Sequence, residues 1–150
     1  MNFTSQICTT KEQSDRLLAM GLKKETADMH YYHTVDFEGN EVWYPSIIPY
    51  ENVVMASDLV GETEIRLENH TIPAWSLHRL MEMIPFNLKD KNGYIYDFII
   101  EDDNTISYYY FSEQSWYCIK YWGKDNLYDN FIDCIEWLIN QNYFTKEYLN

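Results

Sequence analysis

The chain has 150 residues, of which 24 are acidic and 11 basic, so its formal net charge is -13 with neutral histidines. Apolar residues make up 46% and charged residues 23%, a balance that predicts a folded globular chain and excludes a disordered one. No apolar run approaches the roughly 18 residues of a membrane span, so we do not expect an integral membrane protein. No cluster of lysine and arginine could neutralise phosphates, so we do not expect direct binding to nucleic acid or to an anionic membrane.

The cysteines and the first residues predict a cytoplasmic protein. Cys8, Cys118 and Cys134 are odd in number, far apart and without a C-x-x-C pair, which is typical of reduced thiols. The first six residues have neither the basic nor the apolar segment of a signal peptide. Because the sequence has no repeat, linker or low-complexity tract, residues 1–150 are expected to form a single domain.

A capping box predicts the first helix, over residues 11–20. Thr10 and Gln13 have the spacing at which each side chain accepts a hydrogen bond from the other residue's backbone N–H. Gly21 suits the left-handed residue that commonly ends a helix, because glycine has no Cβ to clash there.

Residues 31–47 predict an antiparallel hairpin. Apolar and polar side chains alternate along its first strand, and residues 38–40 form the turn. From residue 46 to residue 71 the pattern is irregular, and only residues 65–67 have the composition of a short strand.

The second half of the sequence predicts two further helices around a three-stranded meander. Ser76 is a good N-cap for a helix that Pro85 ends. Three runs rich in aromatic and β-branched residues predict strands: 94–100, 106–111 and 115–122. Asp125 is expected to cap a last long helix. These elements predict an α+β fold, in which the N-terminal hairpin and the three-stranded meander form an antiparallel sheet with three helices packed on it.

Four stretches in order along the chain carry a resemblance: 13–22 (QSxxLLxxGL), 26–29 (TADM), 72–77 (IPAWSL, running into Leu80 and Pro85) and 133–138 (DCIEWL). Together they resemble a family of small uncharacterised proteins that gut Bacteroidetes encode, often in prophages and other mobile elements. The resemblance implies a phage or mobile-element context and a cytoplasmic location. It implies no activity and transfers no site residue.

The densest set of potential metal ligands is Asp28, His30 and His33. Imidazole and carboxylate together suit zinc or another divalent metal. In a strand, however, His30 and His33 face opposite ways, so we interpret the set as polar residues at the edge of a hairpin. A small metal-dependent enzyme using these residues is the alternative. No nucleotide-binding, hydrolase or zinc-protease motif occurs in the sequence. The sequence therefore favours a non-enzymatic protein without a cofactor.

Aromatic residues make up 17% of the chain, with 14 tyrosines, and they concentrate in the three meander strands. Strict alternation on the last strand places Trp116 and Trp122 on one face and Tyr117 and Tyr121 on the other. If helices cover only one face of the sheet, rings on the other face form a protein-binding surface; the alternative is a cross-strand ladder that only stiffens the sheet. The candidate binding residues, of which we expect at least two to keep a ring exposed to solvent or to a second subunit, are Tyr94, Tyr96, Tyr108, Tyr110, Tyr117 and Tyr121.

A row of carboxylates is predicted along the last helix, with members about 6 Å apart. The row consists of Asp125, Asp129, Asp133 and Glu136. Such a row can imitate nucleic-acid phosphates and occupy a host nucleic-acid-binding protein; the alternative is the solvated face of an amphipathic helix. We therefore expect a phage or mobile-element accessory protein that acts by binding another protein, a basic one if the acidic row is the binding element.

Overall fold

A computed structural model describes residues 6–35, 38–47, 71–113 and 115–150. Contacts divide the chain into two compact units, Met1–Arg79 and Leu80–Asn150, which are described in turn. The single domain expected from the sequence stays a prediction, and the strand expected at residues 65–67 lies outside the described residues. Within the described part of the chain, every helix is too short or too polar to cross a membrane.

The first unit contains a helix and a three-stranded antiparallel sheet. Its elements are α1 (Lys11–Ala19), a 3-10 helix (Lys24–Thr26), β1 (Met29–Val35), β2 (Glu41–Ser46) and β3 (Thr71–Ala74). The strand order is β2-β1-β3, so the predicted hairpin is confirmed. The sequence does not predict β3, because a run of four residues that includes Pro73 carries little strand signal. A proline is tolerated there since β3 lies at the edge of the described sheet.

Both ends of α1 form as its sequence predicts. Thr10 Oγ1 accepts a hydrogen bond from Gln13 N at 3.2 Å, and the Gln13 side chain accepts one from Thr10 N at 2.9 Å. Gly21 has a φ of +95°, in the left-handed region that glycine favours. Leu22 N then donates to the Leu17 carbonyl at 3.2 Å. These bonds satisfy backbone groups that the helix itself leaves unpaired.

Trp75 joins the N-terminal segment of the first unit to its 3-10 helix. The residue is fully buried, and its indole Nε1 donates to Thr26 Oγ1 at 3.0 Å. The backbone N of Trp75 donates to Thr9 Oγ1 at 3.0 Å, while its carbonyl accepts from Thr9 N at 2.9 Å. Because the polar groups of this buried residue are all paired, the ring is held in one orientation.

The helix α2, Leu77–Met83, begins at the N-cap that its sequence predicts. Ser76 Oγ accepts a hydrogen bond from Arg79 N at 3.1 Å. The Asp28 carboxylate accepts one from Ser76 N at 2.8 Å and another from the Ser76 hydroxyl. A negative charge beside the N-terminus of a helix is stabilising, so Asp28 acts as a second cap.

The second unit consists of a four-stranded antiparallel sheet and one long helix. Its further elements are β4 (Asn87–Lys89), β5 (Ile95–Ile100), β6 (Ile106–Phe111), β7 (Trp116–Trp122), α3 (Leu127–Asn140) and a 3-10 helix (Lys146–Tyr148), with the strands in the order β4-β5-β6-β7. The predicted meander is confirmed, and β4 is an additional strand too short to leave a sequence signal. The α+β class is confirmed as well, although the strands form two sheets instead of one.

The helix α3 begins one residue later than predicted. Its N-cap is Asn126 instead of Asp125, since the Asn126 side-chain oxygen accepts a hydrogen bond from Tyr128 N at 2.8 Å. Aspartate and asparagine cap equally well, so the sequence does not separate these neighbours. The buried Asn130 then fixes the approach to the helix, because its side chain exchanges hydrogen bonds with the backbone N and carbonyl of Lys124, both at 2.8 Å.

A β-bulge overturns the predicted arrangement of rings on β7. The register with β6 shifts by one residue at Ile119, which has no partner on the neighbouring strand. Tyr117 therefore lies opposite Tyr110, whereas Tyr121 lies opposite Ser107. Since Tyr110 and Ser107 point to different faces of β6, the prediction that Tyr117 and Tyr121 share a face is wrong. The prediction that Trp116 and Trp122 share a face is wrong for the same reason.

We expect the hydrogen bond between Trp75 and Thr26 to hold the first unit together. Thr26→Val keeps the shape of the side chain but leaves the buried indole N–H unpaired, so the free energy of unfolding should fall by about 1–3 kcal/mol. Thr26→Ser retains the hydroxyl and should cost less. Chemical denaturation of the three proteins measures the difference, and a valine variant as stable as wild type would contradict this role.

Candidate functional site

Helix α3 covers part of one face of the four-stranded sheet, which we call the inner face. Phe131 lies 5.9 Å from Phe98 between ring centroids. Trp137 lies 6.2 Å from Tyr108 and 5.7 Å from Trp122. A helix with its side chains is about 10 Å across, whereas four strands spaced about 4.8 Å apart form a wider surface. One helix therefore buries only some of the rings on this face.

Tyr108 lies under α3 and is fully buried. Its hydroxyl donates a hydrogen bond to the Pro85 carbonyl at 2.6 Å. Burial raises the pKa of this phenol far above its usual range, because the charged form would lose its hydration. Tyr108 thus belongs to the core of the second unit and not to the exposed surface for which the sequence proposes it.

Four of the predicted tyrosines lie together on the inner face, around a position two residues further along β6 than Tyr108. Tyr110 is at their centre, with its ring centroid 4.9 Å from Tyr94, 6.1 Å from Tyr96 and 6.3 Å from Tyr117. The four side chains line a cavity of about 280 Å³. Tyr94 and Tyr117 are 48% and 58% exposed, so solvent reaches their rings. We call these four residues the tyrosine cluster.

Asp90 forms the turn that leads into the tyrosine cluster. Its Oδ1 accepts hydrogen bonds from Asn92 N at 2.8 Å and from Tyr94 N at 2.9 Å. Gly93 completes the turn with a φ of +90°. Partial burial, and after it the neighbouring Asp90 carboxylate, raises the pKa of the Tyr96 phenol. The tyrosine cluster therefore has a carboxylate beside it.

The opposite face of the sheet, the outer face, carries a second group of exposed apolar side chains. Trp116 and Tyr121 are 73% and 67% exposed. Phe111 lies 4.7 Å from Trp116 between ring centroids, and Ile95 is 53% exposed. Large apolar side chains exposed together are typical of an interaction surface. We call Ile95, Phe111, Trp116 and Tyr121 the outer patch.

The strand β7 has an open edge, since in the described sheet it pairs with β6 alone. Its only charged residue is Lys120, although the chain has 24 acidic residues. Natural edge strands are commonly protected by charges, prolines or shortness, because their free backbone groups can pair with another chain. This edge has seven residues and no proline, and within β7 its protection is limited to Lys120 and the bulge at Ile119.

The acidic row is less available than its spacing predicts. Asp125 lies outside the helix, and the Asp133 carboxylate is 2.6 Å from the Lys124 ammonium with its side chain only 19% exposed. Asp129 and Glu136 are half-buried. An ion pair cancels much of the field of its carboxylate, so the row offers fewer free negative charges than four.

The three predicted metal ligands are not brought together. Asp28 caps α2, while His33 Nε2 lies 3.6 Å from the Glu41 carboxylate and its ring stacks 4.9 Å from Trp43. His30 is half-buried and burial lowers its pKa, and its Nδ1 has no hydrogen-bond partner among the residues that the structure describes. In the residues for which the structure is described, no three His, Cys, Asp or Glu side chains form a group that could hold a metal ion.

The sequence predicts part of this surface but not the rest. The candidate binding residues predicted from it include the four members of the tyrosine cluster and Tyr121, but not Asp90, Ile95, Phe111 or Trp116. The available signal is the absence of acidic residues from 115 to 122 in so acidic a chain. No family model, curated protein or solved structure matches the chain, so the resemblance to phage and mobile-element proteins stays a prediction.

We expect Tyr108→Phe to change the response of the protein to alkali. Burial raises the pKa of the Tyr108 phenol in the folded state, so the stabilising contribution of this residue is fully present below pH about 10. The contribution is lost above that pH, because the phenol ionises in the unfolded chain first. The variant should cost about 1 kcal/mol at neutral pH through the lost hydrogen bond. Above pH about 10 its unfolding free energy should fall less steeply than in wild type, by up to about 1.4 kcal/mol per pH unit.

Denaturation across that pH range tests this expectation, with Tyr121→Phe as the matched control. Tyr121 is 67% exposed, so its replacement should leave the neutral-pH stability unchanged. Parallel curves for wild type and Tyr108→Phe would contradict the buried phenol.

Proposed function

We propose that this chain is a non-enzymatic accessory protein of a phage or mobile element, which acts by binding another protein. The binding surface is the outer patch together with the open edge of β7. One observation carries the proposal: Trp116 and Tyr121 are largely exposed on a seven-residue edge strand that carries no acidic residue.

The chemistry of this surface suits a protein partner. An extended segment of another chain can add to an open strand edge, where backbone hydrogen bonds give affinity and flanking side chains give specificity. Tryptophan and tyrosine are the residues most often found at the energetic centre of protein interfaces. Fully burying a large apolar side chain contributes roughly 1.5–3 kcal/mol, so covering the rings of the outer patch would favour association.

The two alternatives have less support from the described residues. A nucleic-acid-mimicking decoy needs free carboxylates, and Asp133 is paired with Lys124. A metal-dependent enzyme needs ligands that converge, and Asp28 and His33 have separate partners.

Replacing the outer patch should abolish capture of a partner. The double variant Trp116→Ser/Tyr121→Ser removes two exposed rings and should weaken retention of the partner from host lysate by roughly 30-fold or more, as expected for interface hot spots. Affinity capture with mass spectrometry identifies the partner, and titration of the purified partner measures the loss.

The matched control is Tyr44→Ser/Ile47→Ser, which removes side chains 56% and 73% exposed in the first unit. This control should retain the partner as wild type does, and all three proteins should unfold at similar denaturant concentrations. A partner that binds the outer-patch variant and wild type equally would contradict the proposed surface.

A further inference from the structure

The tyrosine cluster takes no part in the surface just proposed. Tyr110 and Tyr117 lie opposite each other on the inner face, whereas Trp116 lies opposite Phe111 on the outer face. The cluster nevertheless surrounds a cavity of about 280 Å³, several times the volume of roughly 30 Å³ that one water occupies in the liquid. It therefore has room for the end of a side chain from another molecule.

The electrostatics of this cavity favour a cation. The face of an aromatic ring is negative, and it attracts a cation placed within about 6 Å of the ring centroid. Four such rings line the cavity, the Asp90 carboxylate is beside Tyr96, and the chain as a whole has a net charge of -13. In the described parts of the chain, the lysine found over a ring is Lys11, which lies 4.2 Å from the Trp43 centroid in the first unit.

We propose that the tyrosine cluster binds an arginine side chain of the partner protein, an inference that rests on the proposed function. A guanidinium group is planar and weakly hydrated, so it can stack on a tyrosine ring while it donates hydrogen bonds to a carboxylate. The rings of Tyr110 and Tyr117 are inclined by only 27° to each other. The Asp90 carboxylate supplies negative charge beside them, although its Oδ1 already accepts from two backbone N–H groups and its Oδ2 accepts from Asn92 Nδ2 at 3.4 Å. The cluster thereby selects partners with a basic residue beside the segment that adds to β7.

A pair of capped peptides tests this inference without the partner. One peptide contains a single arginine among glycines, and the other contains citrulline, which has nearly the same shape but no charge. In spectra of protein with labelled tyrosine rings, the arginine peptide should shift the resonances of Tyr94, Tyr96, Tyr110 and Tyr117, and the citrulline peptide should bind at least several-fold more weakly.

Three single variants separate the contributions of the rings and the charge. Tyr117→Leu replaces a largely exposed ring and should weaken binding of the arginine peptide roughly 2- to 30-fold. Asp90→Asn keeps an oxygen for the turn but removes the charge, and should weaken binding about two- to five-fold. Tyr44→Leu, which replaces an exposed ring of the first unit, should leave binding of the arginine peptide unchanged.

These outcomes are independent of partner capture. Equal binding of the arginine and citrulline peptides, shifts confined to other tyrosines, or no shift at all would overturn the cation site even if the outer patch captures a partner. Conversely, arginine binding at the cluster combined with unchanged capture by Trp116→Ser/Tyr121→Ser would support the cation site and contradict the proposed binding surface.

Discussion

The second unit has one long helix, α3, to cover a sheet of four strands, and this limit on coverage determines what its aromatic residues can do. Where α3 lies, the rings of Tyr108 and Trp122 are buried and stabilise the unit. Beside the helix and on the outer face, rings of the same chemistry stay in contact with water, which costs free energy that a partner could recover. The exposed aromatic surface is thus a consequence of the architecture as much as of the composition.

The bulge at Ile119 divides these rings between two surfaces. Without the extra residue, Tyr117 and Tyr121 would point the same way and would share one set of neighbours. With it, Tyr117 completes the tyrosine cluster on the inner face, while Tyr121 joins the outer patch. A bulge at a sheet edge commonly re-aims side chains in this manner, so one inserted residue gives β7 two chemically different sides.

Local signals predict much of the fold, because caps and turns depend on neighbouring residues: Thr10, Gly21 and Ser76 mark helix ends that the structure contains. What depends on distant residues is not predictable in this way. Tyr108 and Tyr110 are identical in type and share a face, but Tyr108 packs against Trp137 of α3 and donates to the Pro85 carbonyl, whereas Tyr110 lies beside Tyr94 and stays half-buried. The same reason explains Asp28, whose partner Ser76 is 48 residues away. The candidate site could therefore be predicted as a set of tyrosines but not as two surfaces.

The most direct test of a binding surface outside the cover of α3 is tyrosine nitration, mapped by mass spectrometry on the free protein and on its complex with the captured partner. The exposure of Tyr117 and Tyr121 predicts that both are nitrated in the free protein. The two proposed binding surfaces predict that both are protected in the complex. Tyr108 should be unreactive in both, and Tyr44, exposed in the first unit, reactive in both. Nitration of Tyr108 in the free protein would contradict its burial under α3. Equal nitration of Tyr117 and Tyr121 with and without the partner would contradict a binding surface outside the cover of α3.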